Sequence, residues 1–267
     1  MEQISSRQNA TVKRFRALAR SCGRDRDEVL LDGAHLLREG LSSGLRIDTV
    51  AFAETAAQGS LAPLVSRAQR AGCRVAIVAD AIFGALSPVR RPTGAVAIAH
   101  LPGAGIDVLL ARAPQLLVAI DGVQDPGNVG AIIRAAEASG ATGVIVGSAS
   151  ADPFGWKALR GAMGSTFRLP VMPNATLTES LDAARAIGVR VFAATPRDGT
   201  RLVQCDLRSP AAILVGGEGA GIPEELLRRA DERLTIPMQP PVESLNVAIA
   251  AALILYEASR QRSDVAL

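Results

Sequence analysis

Side chains suited to metal sites, redox pairs and aromatic platforms are scarce in this chain. Its three cysteines, Cys22, Cys73 and Cys205, lie far apart and form no C-x-x-C pair. That argues against a disulfide scaffold, a thiolate zinc site or a redox couple, and points to a reducing cytoplasm. The two histidines, His35 and His100, fall outside the three motif stretches described below, and no metal is expected. Aromatics make up 3% of 267 residues. Phe15 and Phe52 are the only stacking candidates before Phe83, so base readout by stacking has no support in that region. The opening MEQISSRQNATVKRF lacks the apolar core of a signal peptide, and the longer apolar runs have the shape of core elements, so no membrane is expected. Lysine is nearly missing: Lys13 and Lys157 are the only lysines among 29 basic residues. Neither follows a glycine, which excludes the P-loop pattern and a Walker-type NTPase.

Arginine is abundant instead. Its forked donors suit phosphate, although the bias is equally consistent with the chain's overall Ala- and Gly-rich composition. Net charge is only +3, but Arg7, Lys13, Arg14, Arg16 and Arg20 face Glu2 alone in the first twenty residues. With 48% apolar residues the chain can bury a small and a larger core. Residues 4–22 read as a basic helix, followed by strands at Val29–Leu31, 47–54, Arg74–Ala79 and Gly94–Ala99, a small α/β domain over 1–100. Pro102, Gly103 and Gly105 mark a linker at 101–112. In 113–267 the strands LLVAID, GVIVG, VRVFAAT, AAILVGG and RLTIPM are apolar throughout, which predicts a mostly parallel sheet covered on both faces.

Three stretches carry the chemistry. In AIDGVQDPGNVGAIIRAAEASG (119–140) a strand ends at Asp121 and Asn128 stands where a helix cap belongs, with Arg134 about two turns on. A capping Asn and a solvated Arg account for this stretch equally well on their own. In AAILVGGEGAGIPEELL (211–227) four glycines stand within six residues, Gly216 to Gly221. Their spacing fails the dinucleotide fingerprint G-x-G-x-x-G. What remains is either a tight bend or a loop built for close backbone approach to a ligand, with Glu218 embedded in it. In LTIPMQPPVESLNVAIAAALILYEASR (234–260) Ser244 and Asn246 open a helix that is apolar nearly all round and so is buried on more than one side. Ser244 reads as a cap; Asn246, inside the helix, needs another reason.

Together, DPGNVGAIIRAAEASG, LVGGEGAGI and IPMQPPVESLNVAIAAALILYE resemble the three motifs of the SpoU (TrmH) family of RNA ribose 2'-O-methyltransferases, in the SPOUT class. SADPFGWKALRGAMGSTFRLPV resembles its basic segment. ISSRQNATVKRFRALAR and VLLDGAHLLREGL look like the RNA-substrate-binding domain, similar to ribosomal protein L30e, of its rRNA-modifying members. Two positions depart from the pattern: Gly217 where members often carry Asn, and Asp32 where they often carry Glu.

The resemblance implies an α/β fold whose C-terminal domain holds a trefoil knot, S-adenosylmethionine as cofactor, and a homodimer joined through the last helix. It implies catalytic roles for Asn128, Arg134, Glu218, Ser244 and Asn246. Cofactor contacts fall around Thr195, Leu214, Gly216, Gly217, Ile236, Met238 and Leu245, and Arg160 is the candidate phosphate ligand. Arg7, Lys13 and Arg14 on the first helix supply general RNA attraction. The implied target is a ribose of 23S rRNA, guanosine favoured. The alternatives are tRNA, an rRNA adenosine whose methylation confers antibiotic resistance, and a non-catalytic RNA-binding protein.

Overall fold

Apolar runs form the central strands, LLVAI, GVIVG and AAILVG, with charge confined to the ends of strands or to edge strands in most of the others. The computed structural model describes residues 1–20, 28–101, 103–217, 219 and 221–263; Cys22 and Glu218 lie outside them. The chain begins with β1 (Glu2–Ile4), α1 (Ala10–Arg20), β2 (Glu28–Asp32), α2 (Ala34–Ser42), β3 (Arg46–Ala53), α3 (Glu54–Gln58), α4 (Ala62–Arg70), β4 (Arg74–Val78), α5 (Asp80–Phe83) and β5 (Ala95–His100). Their sheet runs β1-β4-β3-β5-β2, with β5 antiparallel to both neighbours. The single basic helix expected over 4–22 divides: Glu2–Ile4 is an edge strand on β4, and α1 starts only after Asn9, whose side chain accepts a hydrogen bond from Thr11 N at 2.7 Å. Val12, Phe15 and Leu18 recur at helical spacing and bury the inner face of α1.

The chain continues through α6 (Ile106–Leu110), β6 (Leu116–Asp121), α7 (Pro126–Ala138), β7 (Gly143–Gly147), α8 (Trp156–Ala162), β8 (Val171–Ala175), α9 (Leu177–Ala186) and β9 (Arg190–Ala194). It ends with β10 (Thr200–Arg201), β11 (Ala211–Gly216), α10 (Glu224–Leu227), β12 (Glu232–Thr235) and α11 (Val247–Ser263). The sheet order is β10-β12-β9-β11-β6-β7-β8 and every pairing is parallel. Leu109 of α6, Leu181 of α9 and Leu226 of α10 cover one face over Leu117, Ala119 and Leu214. On α7 and α11, which pack together, Val129, Ile133, Ile254 and Leu255 are buried. Arg262 in the last turn of α11 donates to the carbonyls of Leu207, Ser209 and Gln115 at 2.9, 2.7 and 3.1 Å. Those bonds suit a cation at a helix C-terminus and tie the helix end to the segments that lead into β11 and β6.

Two compact units result: Met1–Pro102 with Phe154–Phe167, and Gly103–Pro153 with Arg168–Leu267. α8 therefore belongs to the first unit. Leu159, 1% exposed, enters its core, with Phe154 and Phe167 packed beside it. Within the stretch read as a linker, α6 has Leu109 fully buried, against Gly143.

Candidate active site

At the C-terminal ends of β9, β11 and β12 the second unit opens into a cavity of about 490 Å³. In open parallel sheets this is where ligands bind, beside the strands at which the order reverses. Among the described residues it is walled by 194–196 at the end of β9, by 215–217, 219, 221 and 222 at and after the end of β11, by Leu227 of α10, by Leu234, Ile236 and Met238 at and after the end of β12, and by residues between Ser244 and Ile254.

Glycine is dictated at the centre of the wall. A Cβ on Gly217 would stand 2.0 Å from the carbonyl oxygen of Gly122, and one on Gly216 would stand 2.6 Å from the carbonyl carbon of Gly221. The loop closes on itself through Gly221 N donating to Gly217 O at 3.2 Å, with Gly219 and Gly221 at φ +96 and +68. Opposite, Thr195 N donates to Leu234 O at 2.9 Å, so the ends of β9 and β12 hold each other.

Thr195, Gly216, Gly217, Ile236, Met238, Leu245 and Ser244 all line the cavity. Leu214 does not. It is fully buried in the hydrophobic cluster on the other side of its strand, and Val215 faces the cavity in its place. Alternation along β11 carries that information, because neighbouring residues on a strand point to opposite faces.

The helix caps differ from the sequence reading. Asp125 caps α7, accepting from Gly127 N at 2.6 Å and Asn128 N at 3.3 Å, with Pro126 in the first turn. Asn246 caps α11, accepting from Ala248 N at 3.0 Å and Ile249 N at 3.3 Å. Asn128 is therefore inside its helix rather than at its cap, and its side-chain oxygen accepts from Asn246 Nδ2 at 3.2 Å. That bond joins the first motif to the third, between the cavity residues Leu245 and Val247. Arg134 stands exposed on α7, with no ion pair among the described residues, while Val129, Ile132 and Ile133 take the buried side. Asp121, paired with Gly216 in register, is half-buried, and the loss of solvent pushes its carboxyl above the usual range.

Two of the expected phosphate ligands are engaged elsewhere. Arg14 is held by Glu28 and Asp48 at 2.5 Å each, and Arg74 also reaches Asp48 at 2.7 Å. These bonds hold the Asp48 carboxyl well below the usual carboxylate range against the opposing effect of burial. Arg160 donates to Asp32 at 3.2 Å. Asp32 is 7% exposed and also accepts from Ser87 Oγ at 2.6 Å, so the departure at this position is a buried carboxylate with both oxygens satisfied. Arg7 and Lys13 are exposed. Among the described residues there is no cluster of three or more His, Cys, Asp or Glu fit for a metal ion, and no helix long and apolar enough to cross a membrane.

A parallel α/β unit with a glycine-walled cavity at its strand ends, preceded by a smaller α/β unit, defines the class. Residues 115–256 match the family model of the SpoU rRNA methylases, and residues 9–97 that of the MRM3-like substrate binding domain. The chain belongs to the SpoU rRNA methylase family. It is 34% identical, over 96% of its length and 98% of the relative, to the 23S rRNA (guanosine(2553)-2'-O)-methyltransferase RlmP of Bacillus subtilis. Its structure resembles the AdoMet-bound rRNA methyltransferase of Sinorhizobium meliloti with a TM-score of 0.85 at 30% identity, covering 97% of each chain. It also resembles the SpoU methyltransferase AviRb of Streptomyces viridochromogenes in complex with AdoMet, with a TM-score of 0.83 at 29% identity over 96% of this chain and 99% of that one.

Proposed function

We propose that this protein methylates the 2'-hydroxyl of a ribose in 23S rRNA, a guanosine as in RlmP, using S-adenosyl-L-methionine, and that it works in the cytoplasm as a homodimer. The cavity is the observation that carries this reading. Its volume of about 490 Å³ lies in the range of small-molecule sites, roughly 300–1,000 Å³. Val215, Ile222, Ile236, Met238 and Leu245 give it apolar walls, and its polar groups are largely main-chain, which suits a purine and a short amino-acid tail. The gathering of 194–196, 215–217, 221–222 and 234–238 around one space supports the implied knot.

Bound there, S-adenosylmethionine supplies an electrophilic methyl group on a sulfonium. The chain's part is to bring the ribose oxygen into line, exclude water and stabilise the charge that develops on that oxygen. Arg134 takes the last role. A guanidinium is fully protonated and can donate to an oxyanion or to the neighbouring phosphate, but it is not a base. Asn128 and Asn246, bonded to each other, fix the start of α11 beside Leu245 and Ser244, and Ser244 offers a hydroxyl at the cavity wall. Glu218 is assigned to the same loop by its position in the motif.

Calorimetric titration with S-adenosylmethionine tests the pocket directly. Binding between micromolar and submillimolar, about −8 to −5 kcal/mol, is expected. Absence of binding, together with absence of a missing 2'-O-methyl in the 23S rRNA of a deletion strain, overturns the reading. Arg134→Ala keeps cofactor affinity and loses methyl transfer; unchanged turnover removes the role given to Arg134.

A further inference from the structure

We infer that the first unit grips an unpaired stretch of the RNA through Trp156 as a stacking platform and through Arg90, Arg91 and Lys157 as phosphate contacts, rather than through α1. This inference rests on the RNA-methylating reading and says where the substrate is held.

Three observations tie the two segments that carry these residues to the neighbourhood of Asp32. Arg160 and Trp156 are four residues apart on α8, hence one turn apart on the same face. Arg160 donates to the buried Asp32 at the end of β2. Asp32 accepts from Ser87, and two residues further on Ala34 N donates to Thr93 Oγ1 at 3.4 Å. Both ends of the segment 87–93 are thus fastened beside Asp32. Arg90 and Arg91 follow within three and two residues of these anchors, which keeps their Cα atoms within roughly 11 and 8 Å of them.

Their availability differs from that of Arg14 on α1. Arg90 and Arg91 are exposed and make no ion pair among the described residues, whereas Arg14 is held by two carboxylates. Trp156 is the only tryptophan of the chain and is half-buried. The exposed Lys157 ammonium stands 5.5 Å from its ring centroid. An aromatic face beside a mobile cation is the arrangement that single strands use, since any base can stack and the displaced ammonium can move to the adjoining phosphate. Arg160 is here a positioning residue: its bond to Asp32 fixes the helix that carries Trp156.

A sole tryptophan makes the test direct. On titrating the full-length protein with a 23S rRNA transcript, tryptophan fluorescence is quenched. Trp156→Ala weakens binding roughly tenfold, and Trp156→Phe recovers part of the loss. Arg90→Ala/Arg91→Ala lowers the slope of log affinity against log salt by about 1.4, at ~0.7 per phosphate contact on single strands. It leaves S-adenosylmethionine binding unchanged. RNA binding without quenching, or an unchanged slope in the double arginine variant with a loss in Arg7→Ala/Lys13→Ala instead, overturns the surface while methyl transfer by the wild type still stands. A wild type that binds the transcript with quenching but transfers no methyl overturns the functional reading and leaves the surface intact.

Discussion

One amide serves both ends of Asn246's work at the site: its oxygen caps α11 and its nitrogen holds Asn128. Asn246→Ala removes both, and the lost cap costs about 1 kcal/mol, seen as a lower Tm. Asn246→Asp keeps the cap but removes the Nδ2 donor that holds the Asn128 oxygen, so its Tm stays near wild type while methyl transfer falls about tenfold. Equal losses in the two variants count against a separate positioning role. At Gly217 the limit is steric, and Gly217→Ala reduces cofactor affinity because the added methyl meets the Gly122 carbonyl. Asp121 sets a pH dependence. Its folded carboxyl holds the proton more tightly than an unfolded one, so its contribution favours the fold at low pH and turns against it as pH rises from the ordinary carboxylate range through the raised value. Asp121→Asn therefore unfolds at a higher temperature than wild type at neutral pH, and the difference closes below the ordinary range. A neutral-pH Tm equal to or below wild type rejects this account.

Among the elements, α11 shows what an almost uniformly apolar helix is for. Val247, Ala251, Ile254, Leu255 and Ala258 face the unit's own core, which leaves Ile249, Leu253 and Tyr256 at 54, 43 and 67% exposure, four and three residues apart on the outer side. A second copy of this chain covers that stripe in the proposed dimer. Leu253→Glu shifts the protein to monomer in light scattering; a variant still dimeric moves the interface elsewhere. The buried side of α11 was legible from composition, and the central strands were legible because a sheet covered on both faces admits no charge. Caps were not. Asp125 and Asn128 are both good capping residues three positions apart, and only Pro126, which belongs in a first turn, separates them. The strand Val171–Ala175 is not legible in the sequence because it contains Pro173 and Asn174, the latter at φ 58, features that mark turns.

Over the whole molecule the chain passes from one unit to the other after Pro102, returns at Phe154 and leaves again after Phe167. No local pattern announces that return, because α8 finds its place through Leu159 in a distant core and Arg160 on Asp32. Leu159→Ala costs about 2–5 kcal/mol through the cavity it leaves. The loss appears as earlier hydrogen exchange in β2 and α2, with the sheet around β11 protected as in wild type; equal loosening of both units speaks against the assignment. The double passage also bears on descent. A crossover that exchanged the first hundred codons for those of a cousin would set an inherited α8 against an unfamiliar core and an unfamiliar partner for Arg160. A swap of the first unit that keeps the Asp32–Arg160 pair and the place of Leu159 in its core must therefore take residues 154–167 with it, although half a hundred codons separate them from the rest of that unit.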